Sequence, residues 1–254
     1  MKILERHNKH NIKAAIFDFD GTLSTLRCGW EQVMAPMMEE YLNKTEDAKK
    51  LVSDFIDAST GIQTVLQMQW LKEQAEKQGD TALDVWEYKA EYNRRLMQSV
   101  EKKRKIAENG KREDFLIKDC EIFLKALKKK GIKIYGASGT DDADVKEEAR
   151  ILGLDKYFDE IRGAMPFSTD CSKEATLKSL MQNFSGENLL VVGDGPVEIR
   201  LGKELGALTI GVAANENNLS GFDEAKINRL TKAGAHVLID SFTDLEGILK
   251  WMEE

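Results

Sequence analysis

What most constrains this chain is the recurrence of short, apolar, β-rich runs separated by helix-sized stretches. The runs are AAIF at 14–17, IKIYG at 132–136, LLVV at 189–192, LTIGV at 208–212 and HVLI at 236–239. Strands that alternate with helices predict an α/β fold with a parallel sheet and crossover helices. KDCEIFLKALKKKG, before the second run, and the terminal DSFTDLEGILKWMEE read as two of those helices. Thr243 and Glu246 have capping-box spacing at the start of the last one.

Between about 25 and 115 the texture changes. No strand-like run of comparable quality occurs there, and no proline occurs from Met37 to Met165. Gly61, Gly79 and Gly110 fall where periodic segments stop or start. Thr81 and Asp84 repeat the capping-box spacing. Val65, Leu66, Met68, Trp70 and Leu71, then Val85, Trp86, Tyr88, Tyr92 and Leu96, approximate apolar helix faces. The expected organisation is a core of 1–24 and 116–254, with an all-helical insert at 25–115 after the first strand. A length of 254 residues suits such a core plus insert.

Several function classes are disfavoured. The apolar runs are strand-sized, well short of the roughly 20 residues of a membrane span. The N-terminal MKILERHNKHNIK mixes charges and offers no apolar stretch of the kind a signal peptide needs. Cys28, Cys120 and Cys171 are widely spaced and form no CxxC pair, which suggests reduced thiols and a cytoplasmic location. A formal net charge of −7 repels phosphate backbones, so neither nucleic acid nor a membrane is an expected partner. The KKRK run at 102–105, with Glu101 and Glu108 alongside, reads as a solvated helix face. His7 and His10 lie in the polar N-terminal stretch, and His236 reads as structural.

Chemistry-bearing residues gather at strand ends, where ligands bind in open α/β sheets. The first strand runs into DFDGTLS at 18–24. Asp18 and Asp20, two residues apart, can converge on one point while Gly21 lets the chain turn away. Two hard oxygen donors there suit Mg²⁺; two aspartates after a strand also serve as ordinary loop or helix caps. After the second strand, Ser138, Gly139 and Thr140 stand at the mouth of a helix, a place that favours phosphate oxygens and equally makes a plain N-cap. Lys173 in CSKE opposes the dipole of the helix it opens, which an adjacent anion would explain. The fourth run ends in VVGDGPVEIR, with Asp194 at the tip and Glu198 four residues on.

Together these motifs resemble the haloacid dehalogenase superfamily, in its magnesium-dependent phosphohydrolase branch with a helical cap, as in the β-phosphoglucomutase-like group. The resemblance covers nearly the whole chain and implies a Rossmann-like parallel sheet core with helices on both faces and an inserted all-helical cap. DFDGTL matches the first motif, Ser138 the second, Lys173 the third and GDGPVE the fourth. Glu198 stands where many members have aspartate, which points to an outer-shell or water-mediated role. The resemblance implies a phosphatase that hydrolyses a small phosphomonoester, a sugar phosphate or similar metabolite, through an aspartyl-phosphate. It makes Asp18 the nucleophile and Asp20 the general acid and base. Ser138, Gly139 and Lys173 become the phosphate-binding residues, and Asp18, Asp20 (through its carbonyl), Asp194 and Glu198 the Mg²⁺ site. It also makes the insert a cap that sets specificity.

Within the insert, Thr60 and Gln63 are candidate substrate contacts, although Thr60 also suits a helix cap. Arg27 is placed either to meet an anionic leaving group or as a surface residue at the hinge. A phosphomutase of the β-phosphoglucomutase type and a non-catalytic phosphate-binding module are the alternatives. A dehalogenase is disfavoured because Asp20 is present, and a dinucleotide binder because no GxGxxG follows the first strand. A monomer and a homodimer are equally compatible with the sequence.

Overall fold

In the computed structural model, which describes residues 1–7, 10–79, 81–168, 173–180 and 182–254, the apolar runs assemble into one seven-stranded sheet. Its strands are β1 (Lys2–Ile3), β2 (Ala14–Phe17), β3 (Lys133–Asp141), β4 (Glu160–Ala164), β5 (Leu189–Gly193), β6 (Leu208–Val212) and β7 (Val237–Ile239). They lie in the order β1-β7-β6-β5-β2-β3-β4. All pairings are parallel except β1 with β7. From β2 the chain builds outward through β3 and β4, then returns to the other side of β2 and builds β5, β6 and β7. That reversal opens a crevice beyond the carboxyl end of β2, between β3 and β5.

Between β2 and β3 lie α1 (Glu31–Tyr41), α2 (Glu46–Ala58), α3 (Thr64–Lys77), α4 (Val85–Ile106) and α5 (Cys120–Lys129). The remaining helices are α6 (Asp142–Ile151), α7 (Lys173–Leu180), α8 (Pro196–Glu204), α9 (Glu224–Ala233) and α10 (Leu245–Glu253). Successive β2 side chains face opposite ways. Ala15 and Phe17 join a cluster with Phe123, Leu127, Val145, Ile248 and Trp251 of α5, α6 and α10. Ala14 and Ile16 join Leu177 of α7, with Leu201 of α8 packed alongside. A strand covered on both faces needs apolar residues at every position, which is why β2, β5 and β6 are unbroken apolar runs.

Helices α1–α4 enclose an apolar cluster of their own, which includes Met34, Met38, Val52, Met68, Leu71, Tyr88, Leu96 and Val100. The stretch is helical as its sequence suggests, and α4 ends at a kink where Gly110 takes φ +90°.

The structure corrects several local expectations. Strands β1 and β4 escape a reading by apolar runs: β1 has two residues, and EIRGA in β4 has one large apolar side chain. The second strand continues past 136 to Asp141, with a register shift against β4 between Ala137 and Asp141. Helix α4 starts at Val85, so its cap is Asp84, not Thr81. Asp84 Oδ1 accepts from Trp86 N–H at 2.9 Å, and Asp84 N–H donates to Glu87 Oε2 at 2.8 Å. In α10 the cap is likewise one residue later than Thr243, because Asp244 accepts from Gly247 N–H at 3.1 Å. The Thr243 hydroxyl pairs with Ser241 instead.

The 102–105 run is not wholly a solvated face. Lys102 and Lys105 are exposed, but Arg104 is buried and ion-paired. Cys28 and Cys120 are free thiols, and Cys171 lies outside the described residues. Among the described residues, no helix is long and apolar enough to cross a membrane.

Candidate active site

The crevice at the reversal of the sheet gathers most of the expected residues. Asp18 follows β2 directly and is held in line by its N–H, which donates to Val192 O of β5 at 2.9 Å. Lys173, the first residue of α7, approaches from one side; its Nζ lies 2.8 Å from Asp18 Oδ1 and 3.0 Å from Glu198 Oε2. Asp194 follows β5, and Glu198 one turn later is tied down by Gly195 N–H, which donates to its Oε1 at 2.7 Å. Asp18, Asp194 and Glu198 are all buried and each offers an oxygen within 4.8 Å of the others.

Hard oxygen donors in this number and spacing fit Mg²⁺. The electrostatics agree with that fit. Burial, together with the Glu198 and Asp194 carboxylates, pushes the Asp18 carboxyl well above its ordinary value against the pull of Lys173. A divalent cation would relieve that crowding of negative charge.

Asp20 is brought to the same cavity but not to the same cluster. Its carboxylate turns toward β3, where Oδ2 accepts from Thr140 Oγ1 at 2.8 Å and from Ser138 Oγ at 3.2 Å. Its other oxygen, Oδ1, is buried and makes no hydrogen bond with the described residues. Burial and the Glu148 carboxylate raise the Asp20 pKa to about 6, partly offset by Arg27 and the two hydroxyls. Ser138 Oγ also accepts from Thr140 N–H at 3.0 Å.

Gly21 makes the turn possible at φ +77°, and a Cβ there would lie 2.3 Å from Asp194 Oδ2. Two further glycines admit the helical segment. A Cβ on Gly139 would meet Ile62 O at 3.2 Å, and one on Gly61 would meet Glu198 Oε2 at 3.4 Å. The loop between α2 and α3 thus touches the strand-end residues through Gly61.

The cavity between them measures about 110 Å³, room for several water molecules. Asp18, Asp20, Ser138, Gly139, Lys173 and Asp194 line it on the sheet side. Thr60 also lines it, but its hydroxyl donates to Ile56 O at 3.1 Å and so closes α2; it does not cap α3, whose N-cap is Gln63. Gln63 is buried but is not among the lining residues.

Arg27 lines the cavity and is buried, which overturns its reading as a surface residue. Its Nη2 lies 2.8 Å from Glu148 Oε1 and 3.4 Å from Asp144 Oδ2, so its charge is already matched.

Residues the motifs do not disclose complete the site. Burial alone would raise the Asp194 carboxyl, yet Lys226 at 2.7 Å and Arg229 at 3.6 Å hold it below its usual range. Lys226 also pairs with Glu216 at 2.8 Å. From α4, Lys89 is ion-paired with Asp141, and Asn93 Nδ2 donates to Asp141 Oδ2 at 3.0 Å. Lys226 and Arg229 sit in the ordinary-looking helix EAKINRL and carry no signal in sequence. Lys89, Tyr92, Asn93 and Leu96 do share the i, i+3, i+4, i+7 spacing of one helix face, but that spacing reads first as core packing.

Comparison with known proteins bears on the fold and the family. A Clostridium perfringens protein provisionally named pyrophosphatase PpaX is 39% identical over 99 residues, which are 37% of this chain and 45% of that protein. The chain thus spans about half the length of the curated relative it matches. The fold recurs in β-phosphoglucomutase from Clostridium difficile, with TM-score 0.63, 18% identity and coverage of 95% of this chain and 97% of that one. A hydrolase from Pseudomonas syringae gives TM-score 0.64 at 18% identity, covering 95% and 100%. A provisionally assigned phosphoglycolate phosphatase from Haemophilus somnus gives 0.60 at 17%, covering 94% and 98%. Residues 12–206, which run from the strand before Asp18 to beyond Glu198, match the haloacid dehalogenase-like hydrolases, and the chain belongs to that family.

Proposed function

We propose that this protein is a Mg²⁺-dependent phosphatase that hydrolyses a small phosphomonoester of the sugar-phosphate type in the cytoplasm, with residues 25–115 acting as the cap. The observation that carries the reading is the division of labour between the two aspartates. Asp18 lies in the carboxylate and ammonium cluster, whereas Asp20, in the same cavity, is held apart by Ser138 and Thr140.

Asp18, Asp194 and Glu198 would hold the metal, Glu198 directly or through water, with the Asp20 carbonyl as a further donor. When bound, Mg²⁺ supplies the positive charge that lets a carboxylate approach a phosphoryl dianion. Lys173 Nζ, with Ser138 and the backbone at Gly139, would grip the phosphoryl oxygens. Asp18 attacks phosphorus; the Asp18 O–P bond forms as the P–O bond to the leaving group breaks. Asp20 gives its proton to the departing alkoxide. It then takes one from the water that cleaves the aspartyl-phosphate, so it ends as it began. A carboxyl raised to about 6 by burial and Glu148 holds a proton more readily than an ordinary aspartate, as that donor role requires. The cap excludes water while the phosphoryl group is in transit.

The test is phosphate release from a panel of small phosphomonoesters with Mg²⁺, repeated with chelator and with Asp18→Asn. The expected result is metal-dependent turnover that Asp18→Asn abolishes. Turnover indifferent to Asp18 would sink the mechanism, and isomerisation without phosphate release would favour a mutase.

A further inference from the structure

The cap-side wall of the cavity is polar yet has no cation to spare. Lys89 is matched by Asp141, and Arg27 by Glu148 and Asp144. Among the lining residues, five carboxylates (Asp18, Asp20, Asp141, Asp194, Glu216) face three cations (Arg27, Lys89, Lys173). Immediately behind them, Arg104 pairs with Glu148 and Asp144, Lys226 and Arg229 pair with the lining Asp194 and Glu216, and Glu198 pairs with Lys173, so the three cations and three carboxylates of this outer layer cancel in number. With Asp20 protonated for its donor role, four lining carboxylates face three cations, so one divalent ion and a phosphoryl dianion together return the lining to a net negative charge. Among the described residues no cation remains to offset a second anionic group on the substrate, and placing one beside these carboxylates without a partner is costly.

The same wall holds neutral groups with unused hydrogen-bonding capacity. Tyr92, on α4, is 4% exposed and lines the cavity, and its hydroxyl makes no hydrogen bond with the described residues. Gln67, on α3, is 3% exposed and lines the cavity too. Its Nε2 donates to Ser59 Oγ at 3.1 Å, while its Oε1 makes no hydrogen bond with the described residues. Both oxygens belong to side chains that line the cavity and are not committed to a partner among the described residues, so they are free to bond a ligand there.

We propose that Tyr92 and Gln67 are specificity-determining residues that hydrogen-bond an uncharged, hydroxyl-bearing leaving group, and that the site rejects substrates with a second anionic group. This rests on the phosphatase reading, which it deepens. It selects polyol monophosphates over pyrophosphate, phosphoglycolate and bisphosphates. A tyrosine hydroxyl and an amide oxygen supply one donor and two acceptors, a match for adjacent hydroxyls.

The test measures binding by calorimetry with Mg²⁺ in the Asp18→Asn protein, with and without Tyr92→Phe. The probes are glycerol phosphate, a hexose monophosphate, inorganic phosphate, phosphoglycolate and pyrophosphate. Expected is a fall of about tenfold in affinity for the two hydroxylated esters on Tyr92→Phe, the worth of one hydrogen bond, with inorganic phosphate unchanged. Both hydroxylated esters should bind at least tenfold more tightly than phosphoglycolate or pyrophosphate. Equal effects on all probes, no advantage of the hydroxylated esters over inorganic phosphate, or tighter binding of phosphoglycolate or pyrophosphate would overturn the proposal. In otherwise wild-type protein, Tyr92→Phe should raise KM for glycerol phosphate and leave p-nitrophenyl phosphate, which has no hydroxyl, unaffected. Its thermal midpoint should match wild type, because the hydroxyl has no partner in the protein to lose. Failure of the phosphatase reading has a separate signature: the wild type releases phosphate from no ester at all.

Discussion

The narrowest tolerance in the site belongs to Gly21. Its φ of +77° lies where a side chain is strained, and a Cβ would lie 2.3 Å from Asp194 Oδ2. Gly21→Ala should therefore have two consequences. The left-handed backbone should cost about 1–2 kcal/mol of stability, and Asp194 must move, which should weaken Mg²⁺ binding measured by calorimetry. Gly79 is the matched control: its φ is +83° but nothing lies within 4 Å of its Cβ position. Gly79→Ala should show the stability loss alone. If both variants bound Mg²⁺ like wild type, Asp194 would not be a ligand constrained by this turn. The residue scale is also where sequence served best. Asp18 and Asp194 follow strand ends, Ser138 lies near the end of β3 and Lys173 opens α7, and they converge because a parallel sheet brings its strand ends and the helices after them to one edge. Asp20 shows where spacing misleads. Two residues on from Asp18 it shares the cavity, but the chain has already left the strand at Phe17, and its carboxylate is drawn to β3.

Among the elements, one buried tie is announced by no motif. Glu148 on α6 is fully buried and accepts from Arg27 Nη2 at 2.8 Å and from Arg104 Nη2 at 2.7 Å. Arg27 lies just before α1 and Arg104 near the end of α4, so one carboxylate anchors both connections of the helical segment to the sheet domain. Glu148→Ala leaves two buried guanidiniums with Asp144, Glu101 and the more distant Asp20 as their remaining carboxylates and should cost about 3–5 kcal/mol, read by urea denaturation. A loss under about 1 kcal/mol would mean that the connections are held by packing instead. In sequence, Glu148 is one acid among several in DDADVKEEAR, and only tertiary placement sets it apart. The same holds for β4 and for the α4 cap. EIRGA pairs with β3 because the chain returns there, and Asp84 outcompetes Thr81 because the helix begins one residue after it. Periodicity reports which face is buried, so it disclosed the helices and central strands; it carries little about edges and ends.

Across the whole molecule, titration should act on stability at a point remote from the cavity. His236 precedes β7 and is enclosed by Thr209, Lys203 and the imidazoles of His7 and His10. Its Nδ1 accepts from Thr209 N–H at 3.2 Å and lies 2.8 Å from Thr209 Oγ1, while its Nε2 lies 3.1 Å from Lys203 Nζ, which can only donate. Protonating Nε2 would set an N–H against an ammonium. Burial first, then Lys203, lowers the His236 pKa to about 4. The unfolded chain has an ordinary histidine, with pKa about 6.5. Below that value the unfolded state binds a proton that the folded state refuses, so stability falls as pH drops from about 6.5 toward 4 and levels off once both states are charged. Above about 6.5 the group contributes no pH dependence. Other groups titrate in the same range, so the informative quantity is a difference between proteins. His236→Gln keeps a side chain that can bridge Lys203 and Thr209 but cannot titrate. Thermal midpoints at pH 7.5 and pH 5 should show wild type losing more than the variant. Equal losses in the two proteins would show that His236 accepts a proton as readily in the folded state as in the unfolded one.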